Sequence, residues 1–268
     1  MKKLVSLLAF VVLSVSAVAA QAATDAKHPK QVDWSFDGPL GTVDRASAQR
    51  GFQVYKEVCS ACHGLKRVAF RNLTEIGFSA AEAKAIAAGY TVQDGPNDEG
   101  DMFDRPGTLS DRFVPPFPNE KAARASNGGA FPPDLSLITK ARHDGPNYVY
   151  SLLTGYGEEA PEHVEVAPGQ NYNPYFPGGL LAMAPPLMND LLIYQDGTNA
   201  STEQMAKDVV SFLQWAAEPE MEARKRMGIK VLVFLAVMSV LFYVAKQRIW
   251  SDVKTVKAGD QGKQGPLV

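Results

Sequence analysis

Apolar positions recur along this chain in several rhythms, and each rhythm predicts a different element. Leu4 to Ala20 is a nearly unbroken apolar run behind Met1-Lys2-Lys3, and the small-x-small triplet Ala20-Gln21-Ala22 follows it. Residues 1–22 therefore read as a secretory signal peptide cleaved near Ala22; a membrane anchor is the other reading, but the run is short and carries a cleavage signal. Asp44 is a good N-cap, and Phe52, Tyr55, Val58 and Cys62 fall on or near one stripe, which predicts a helix through about Cys62. Ser79-Ala80-Ala81-Glu82 is a capping box and predicts a helix through Ala83, Ile86 and Ala87 that stops at Gly89. Shorter helices are expected from about Leu135 to Ala141, behind the stiff Pro132-Pro133, and from Pro146 to Leu153, ending at Gly155. Ser201 to Gln204 is a further capping box, opening an amphipathic helix with Val209, Phe212, Leu213 and Trp215 that ends near Glu218-Pro219.

Gly228 to Ala245 departs from amphipathicity. It is almost wholly apolar, and its only charge, Lys230, lies near the start and can snorkel. Eighteen helical residues span about 27 Å, enough to cross the hydrocarbon core of a bilayer. A buried core helix is the alternative, but no later segment could cover it. Residues 224–246 are thus expected to be a transmembrane anchor and 247–268 a tail. Arg224, Lys225 and Arg226 on one flank and Lys246 and Arg248 on the other leave the positive-inside rule undecided. Orientation rests on the signal peptide: residues 23–223 are expected in the periplasm, the tail in the cytoplasm, and the anchor in the bacterial inner membrane.

Between these elements the period fades. Residues 23–43, with Pro29, Gly38, Pro39 and Gly41, read as an extended arm. Residues 90–135 and 155–190 are long, irregular stretches, and loops of that length in a compact domain are functional or disordered. Phe103, Leu109, Phe113 and Phe117 predict that the first one packs. The fold class expected is mainly α, with long irregular loops and one C-terminal transmembrane helix.

Charge changes the picture of the surface. The formal charge of −2 divides into +2 for residues 1–22, +7 for residues 224–268, and hence −11 for the middle. Asp94, Asp98, Glu99, Asp101, Asp104 and Asp111 have only Arg105 among them, and Glu158, Glu159, Glu162 and Glu165 form a run with no basic residue. Such runs are either solvated surface or docking sites for a basic partner. Membrane lipid and basic proteins are expected partners; nucleic acid is not.

The candidate chemistry lies in Cys59-Ser60-Ala61-Cys62-His63, the Cys-x-x-Cys-His attachment pattern of a c-type haem. Positions i, i+3 and i+4 of a helix share one face. Two thiols there could join the two vinyl groups of one porphyrin, with His63 as the proximal iron ligand. A thioredoxin-like redox pair would want a strand before it, and a zinc site would need about two more ligands at close spacing. Both cysteines of the chain are in this motif, so no structural disulfide remains. A low-spin haem needs a sixth ligand, for which Met102, Met183, Met188, Met205, Met221, His28, His143 and His163 are candidates. Met205 and Met221 lie on or beside a helix and read as packing residues. Met183, set among alanines before Pro185-Pro186, is stiff and uncrowded, but residue chemistry alone leaves the choice open. So do two other functional readings: a haem peroxidase with an open sixth position, and a tethered cytochrome serving a different oxidase.

Several segments carry a family resemblance. They include Val58 to His63 with Val68-Ala69-Phe70-Arg71, Asp94-Gly95-Pro96-Asn97, Arg105-Pro106-Gly107 and Pro132-Pro133-Asp134-Leu135-Ser136. Leu152-Leu153-Thr154-Gly155-Tyr156, Asn173 to Gly178, Met183-Ala184-Pro185-Pro186 and Trp215 to Glu220 follow in the same order. Together they cover nearly all of the mature chain, and they resemble the cytochrome c1 family, the haem subunit of the bacterial cytochrome bc1 complex. The resemblance implies a c-type cytochrome domain with one covalent haem c on Cys59 and Cys62, and with His63 and Met183 as axial ligands. It also implies Arg124 at a haem propionate. Implied partners are cytochrome b, a Rieske iron–sulfur protein as electron donor and a soluble cytochrome c as acceptor, in a dimeric complex. Quinol chemistry would take place elsewhere in that complex. Partner docking is expected of Asp94, Asp98, Glu99, Asp101, Glu158, Glu159, Glu162 and Glu165. Some bacterial relatives brace the loop before the methionine with an additional cysteine pair; this chain has none, so packing is expected to stiffen residues 155–182.

Overall fold

The structure is a computed structural model that describes residues 26–162 and 164–260. The expected signal peptide and His163 lie outside the described residues. The chain forms two units.

Among the described residues, the larger unit contains five helices: α1 (Arg45–Glu57), α2 (Ala80–Ala88), α3 (Glu120–Ser126), α4 (Gly145–Leu153) and α5 (Thr202–Ala217). The caps at Asp44 and Ser79 form as expected: Asp44 accepts from the Ala46 and Ser47 amides, and Ser79 and Glu82 close a reciprocal box. At Ser201 only half of the expected box forms: Ser201 accepts from the Gln204 amide, while the Gln204 side chain donates to Asp208 (3.1 Å) instead. Each cap satisfies amides that a helix start leaves unpaired.

Helix α5 is the hub, packed against α1, α4 and a 3-10 turn at Leu135–Leu137. The α1–α5 crossing is close at Gly51, where a Cβ would overlap the Asp208 carbonyl. Asp208 is fully buried there, accepting from Ser47 Oγ (2.7 Å) and from Arg50 Nε (2.9 Å) and Nη2 (3.0 Å). Phe52, Tyr55, Phe113 and Phe212 fill the core beside the crossing, with ring centroids 5.7–6.0 Å apart. Fully burying a side chain of this kind stabilises by about 1.5–3 kcal/mol.

The long stretches are more ordered than their sequence suggests. Residues 90–135 contain an antiparallel hairpin, β1 (Thr91–Asp94) with β2 (Phe103–Pro106), and helix α3. Neither strand has a buried face, and only Ala123 of α3 is buried, so no apolar period marks them. Packing of the stretch falls to Phe113 rather than Phe103, which is 44% exposed. Phe113 enters the core because its amide bonds the Val68 carbonyl (3.1 Å) and the Phe70 amide bonds the Asp111 carbonyl (3.0 Å). The helix expected over Leu135 to Ala141 is only the 3-10 turn, begun by the Asp134 carboxylate bonding the Ser136 amide. Residues 155–190 contain a small ribbon, β3 (Asn171–Tyr172) with β4 (Leu180–Leu181). The N-terminal arm docks on α4 through Trp34 Nε1 to Asn147 Oδ1 (2.8 Å) and the Lys30 amide to Ser151 Oγ (2.7 Å).

The second unit is the turn Gly38–Gly41 with helix α6 (Met221–Asp260). Lys225 Nζ donates to the Gly41 carbonyl (3.1 Å). Met221–Ser251 is a 31-residue stretch long and apolar enough to cross a membrane, and its most apolar window buries nothing. The helix starts before Arg224 and continues past Lys246, because Gln, Arg and Lys favour the helical backbone as well as apolar residues do.

Candidate haem site

Helix α1 stops at Glu57, not at Cys62, and the motif lies on a 3-10 turn at Cys59–Ala61. The amides of Cys62 (3.1 Å) and His63 (2.9 Å) both close on the Cys59 carbonyl. Ser60 Oγ donates to the Lys56 carbonyl (2.7 Å), an acceptor of the last turn of α1. A single tight turn thus wraps Cys62 and His63 back over Cys59, after which Gly64 and Leu65 go inward.

His63 is oriented from behind. Its Nδ1 lies 2.7 Å from the Pro133 carbonyl, which can only accept, so Nδ1 carries the proton and the Nε2 lone pair faces away. The supporting segment is stapled in place. The Leu135 amide bonds the Gly64 carbonyl (2.8 Å), and Asp134 accepts from the amides of Lys66 (3.0 Å) and Ser136 (3.0 Å). Tyr55 donates to the His63 carbonyl (3.2 Å). Burial pushes the His63 pKa down, against the smaller opposing pull of the Pro133 bond. A neutral imidazole with a free Nε2 is what an iron needs.

Burial first, and then the Cys62 thiol, push Cys59 up to about 12. Cys59 therefore keeps its proton at neutral pH, whereas zinc binding or disulfide exchange uses the thiolate. Among the described residues, no cluster of three His, Cys, Asp or Glu could hold a bare metal ion. The donor set fits a group that brings its own iron: one oriented imidazole beside two thiols on one turn.

Met183 is half-buried and held between buried Leu181 and Leu187. Its carbonyl accepts from the Tyr156 hydroxyl (2.9 Å). Met205 and Met221 are buried, while Met102, Met188, His28 and His143 are exposed. Arg124, in the last turn of α3, pairs with Glu120 (2.7 Å), donates to the Gly129 carbonyl (2.9 Å) and covers the Phe131 ring at 5.6 Å. It is thereby tied to the segment that leads into Pro133.

The loop before Met183 is stiffened by polar pins as well as by packing. Asn173 is fully buried; its Nδ2 donates to the Leu152 carbonyl (2.8 Å), its Oδ1 accepts from the Tyr175 amide (3.1 Å), and its own amide bonds the Gly179 carbonyl (2.8 Å). A Cβ at Gly155 would meet Tyr175 at 2.5 Å, so only glycine lets this segment lie so close to the end of α4. Tyr156, Asn173 and the Pro133 carbonyl escaped the sequence reading. Asn173 and Tyr156 could have been suspected from their place in the quoted motifs, but a carbonyl leaves no side-chain signal.

Two acidic candidates change character. Asp94 is ion-paired with Arg105, which also clamps Asp111 (2.6 and 3.0 Å). Glu158 is paired with Lys27 of the N-terminal arm at 2.6 Å. Both carboxylates are ion-paired yet remain about half exposed, at 45% and 47%. Asp98, Glu99, Asp101, Glu159, Glu162 and Glu165 are exposed.

A profile of the Cytochrome C1 family matches residues 34–253. The chain belongs to the cytochrome c1 family. It is 51% identical over 251 residues to cytochrome c1 of Rhodospirillum rubrum, covering 88% of this chain and 92% of that one. It is 50% identical over 244 residues to the mitochondrial cytochrome c1 haem protein of Kluyveromyces lactis, covering 91% and 84%. A Candida albicans protein named a catalytic subunit of the mitochondrial cytochrome b-c1 complex is 51% identical over 244 residues, covering 91% and 85%. The cytochrome c1 family is the haem electron-transfer subunit of the bc1 complex, so haem binding and electron transfer belong to this chain. A free-standing peroxidase and a subunit of another oxidase are thereby set aside.

Proposed function

We propose that this cytochrome c1 holds one haem c covalently through Cys59 and Cys62, ligated by His63 and Met183, with Arg124 at a propionate. It would relay electrons from a Rieske iron–sulfur protein to a soluble cytochrome c, within a dimeric complex containing cytochrome b. When bound, the haem would supply the one-electron carrier, and ligation by a thioether and an imidazole would raise its potential relative to two imidazoles. The chain's own part is to bind, orient and dock. The Pro133 carbonyl holds the His63 tautomer, Leu181 and Leu187 hold the methionine segment, and the exposed acids attract a basic partner. The observation that carries the reading is the His63 Nδ1–Pro133 bond, which reserves Nε2 for iron directly beside the two thiols. Residues 1–22 would direct export, residues 23–223 would work in the periplasm, and residues 224–246 would anchor the chain.

The experiment is replacement of both Cys59 and Cys62 by Ser. Haem that survives acid–acetone extraction should disappear from the chain. Retention of such haem by the double variant would show that the thiols are not its attachment points.

A further inference from the structure

We infer that Tyr156 is a positioning residue for the distal iron ligand: its hydroxyl, by donating to the Met183 carbonyl, holds the thioether on the iron and sets how readily that bond opens. The inference rests on the reading of Met183 as the ligand.

Pro185 and Pro186, just beyond Met183, have no amide hydrogen, so the methionine lies in a stretch whose backbone can form no ladder past it. The ribbon β3–β4 ends at Leu181, and the next buried anchor is Leu187. Between these two anchors, Ala182, Ala184 and Pro185 are exposed. The Tyr156 hydroxyl, 2.9 Å from the Met183 carbonyl, is therefore a tie in the middle of an otherwise lightly held span, made at the ligand's own peptide.

The tie has a firm base. Tyr156 follows Gly155, which is buried against Tyr175 and Asn173, and Asn173 is itself bonded to Leu152 at the end of α4. The phenol is half-buried, and a phenol is a hydrogen-bond donor at neutral pH. Family members with an additional cysteine pair could brace this loop covalently; here Asn173 clamps the loop to α4 and Tyr156 carries that rigidity to the methionine.

The test uses the detergent-purified complex and reads the methionine–iron bond rather than turnover. Tyr156→Phe removes the hydroxyl and keeps the ring. Tyr172→Phe removes a hydroxyl from the same loop that does not reach Met183. Cyanide binding to the ferric haem requires the thioether to leave, so its rate reports bond opening. A hydrogen bond of ordinary net worth predicts about a two- to tenfold faster rate in Tyr156→Phe. The thioether–iron band at the red end of the spectrum should weaken in that variant, while Tyr172→Phe matches the parent. A parent-like rate in Tyr156→Phe overturns the inference. So does equal acceleration in both variants, which would mean general loosening of the loop. Failure of Tyr156→Phe to assemble while Tyr172→Phe assembles also counts against it, because a positioning hydroxyl is not required for folding. Met183→Leu separates the two levels. If that variant keeps the red band, the ligand reading fails and takes this inference with it. If it loses the band and Tyr156→Phe is parent-like, the inference alone fails.

Discussion

Single residues here act through what they leave out as much as through what they add. Gly51 has no Cβ, so α1 can press against the Asp208 carbonyl on α5. That contact sets the distance between the helix carrying the haem motif at its end and the helix at the centre of the core. Gly51→Ala forces the helices apart, and overpacking of this kind costs about 1–3 kcal/mol, occasionally more. The urea midpoint of the haem domain should fall accordingly; an unchanged midpoint would mean that the crossing tolerates a methyl group. His63 illustrates the converse. Its orientation comes from one carbonyl of Pro133, seventy positions away in sequence, held there by Asp134 and Leu135.

The hairpin β1–β2 shows charge taking the place of a core at the level of an element. Its strands bury no face, and Arg105 holds it by clamping Asp94 and Asp111. The guanidinium holds both carboxyls below the usual aspartate range, Asp111 further than Asp94, and the Thr108 amide adds to the effect on Asp111. A depressed carboxylate contributes stability that is complete above its unfolded pKa, about 3.9, and is lost as pH falls through the lower folded value. Amide exchange in Thr91–Asp94 and Phe103–Pro106 should therefore stay slow down to about pH 4 and accelerate below it. Arg105→Gln should bring fast exchange to neutral pH while the α1–α5 core stays protected. Equal protection in parent and variant at pH 7 would refute the clamp.

Two features govern the whole molecule, an acidic middle and an apolar end. Truncation before Arg224 removes the helix that could span a bilayer. The shortened chain should appear in the soluble periplasmic fraction with haem attached; recovery in the membrane after signal cleavage would contradict a single C-terminal anchor. The −11 carried by residues 23–223 bears on partner encounter. With Asp94 and Glu158 already paired, the candidates reduce to Asp98, Glu99 and Asp101 on the hairpin tip and Glu159, Glu162 and Glu165 on the later loop. Charge steering is screened over about 8 Å at physiological salt. Neutralising the docking group should slow cytochrome c reduction at low ionic strength and flatten its salt dependence. A triple variant that matches the parent at every ionic strength carries acids that merely solvate the surface.

The sequence by itself determined the features whose physics is local. Caps at Asp44, Ser79 and Ser201 satisfy amides within three residues, so those helix starts were readable. The apolar run of α6 and the Cys59–His63 motif are likewise written in consecutive positions, and the order of short motifs pointed to the family. Tertiary structure decided whatever depends on a partner far along the chain. The hairpin was invisible because its stability comes from ion pairs rather than a buried stripe. The 3-10 turn of the haem motif leads into Gly64 and Leu65, which are buried, and the Gly64 carbonyl is bonded by the distant Leu135 amide. The pairing of Glu158 with Lys27, and of Met183 with Tyr156, spans 131 and 27 residues. No periodicity encodes such contacts, since hydrogen bonds and ion pairs act over a few ångströms in space and are indifferent to separation along the chain.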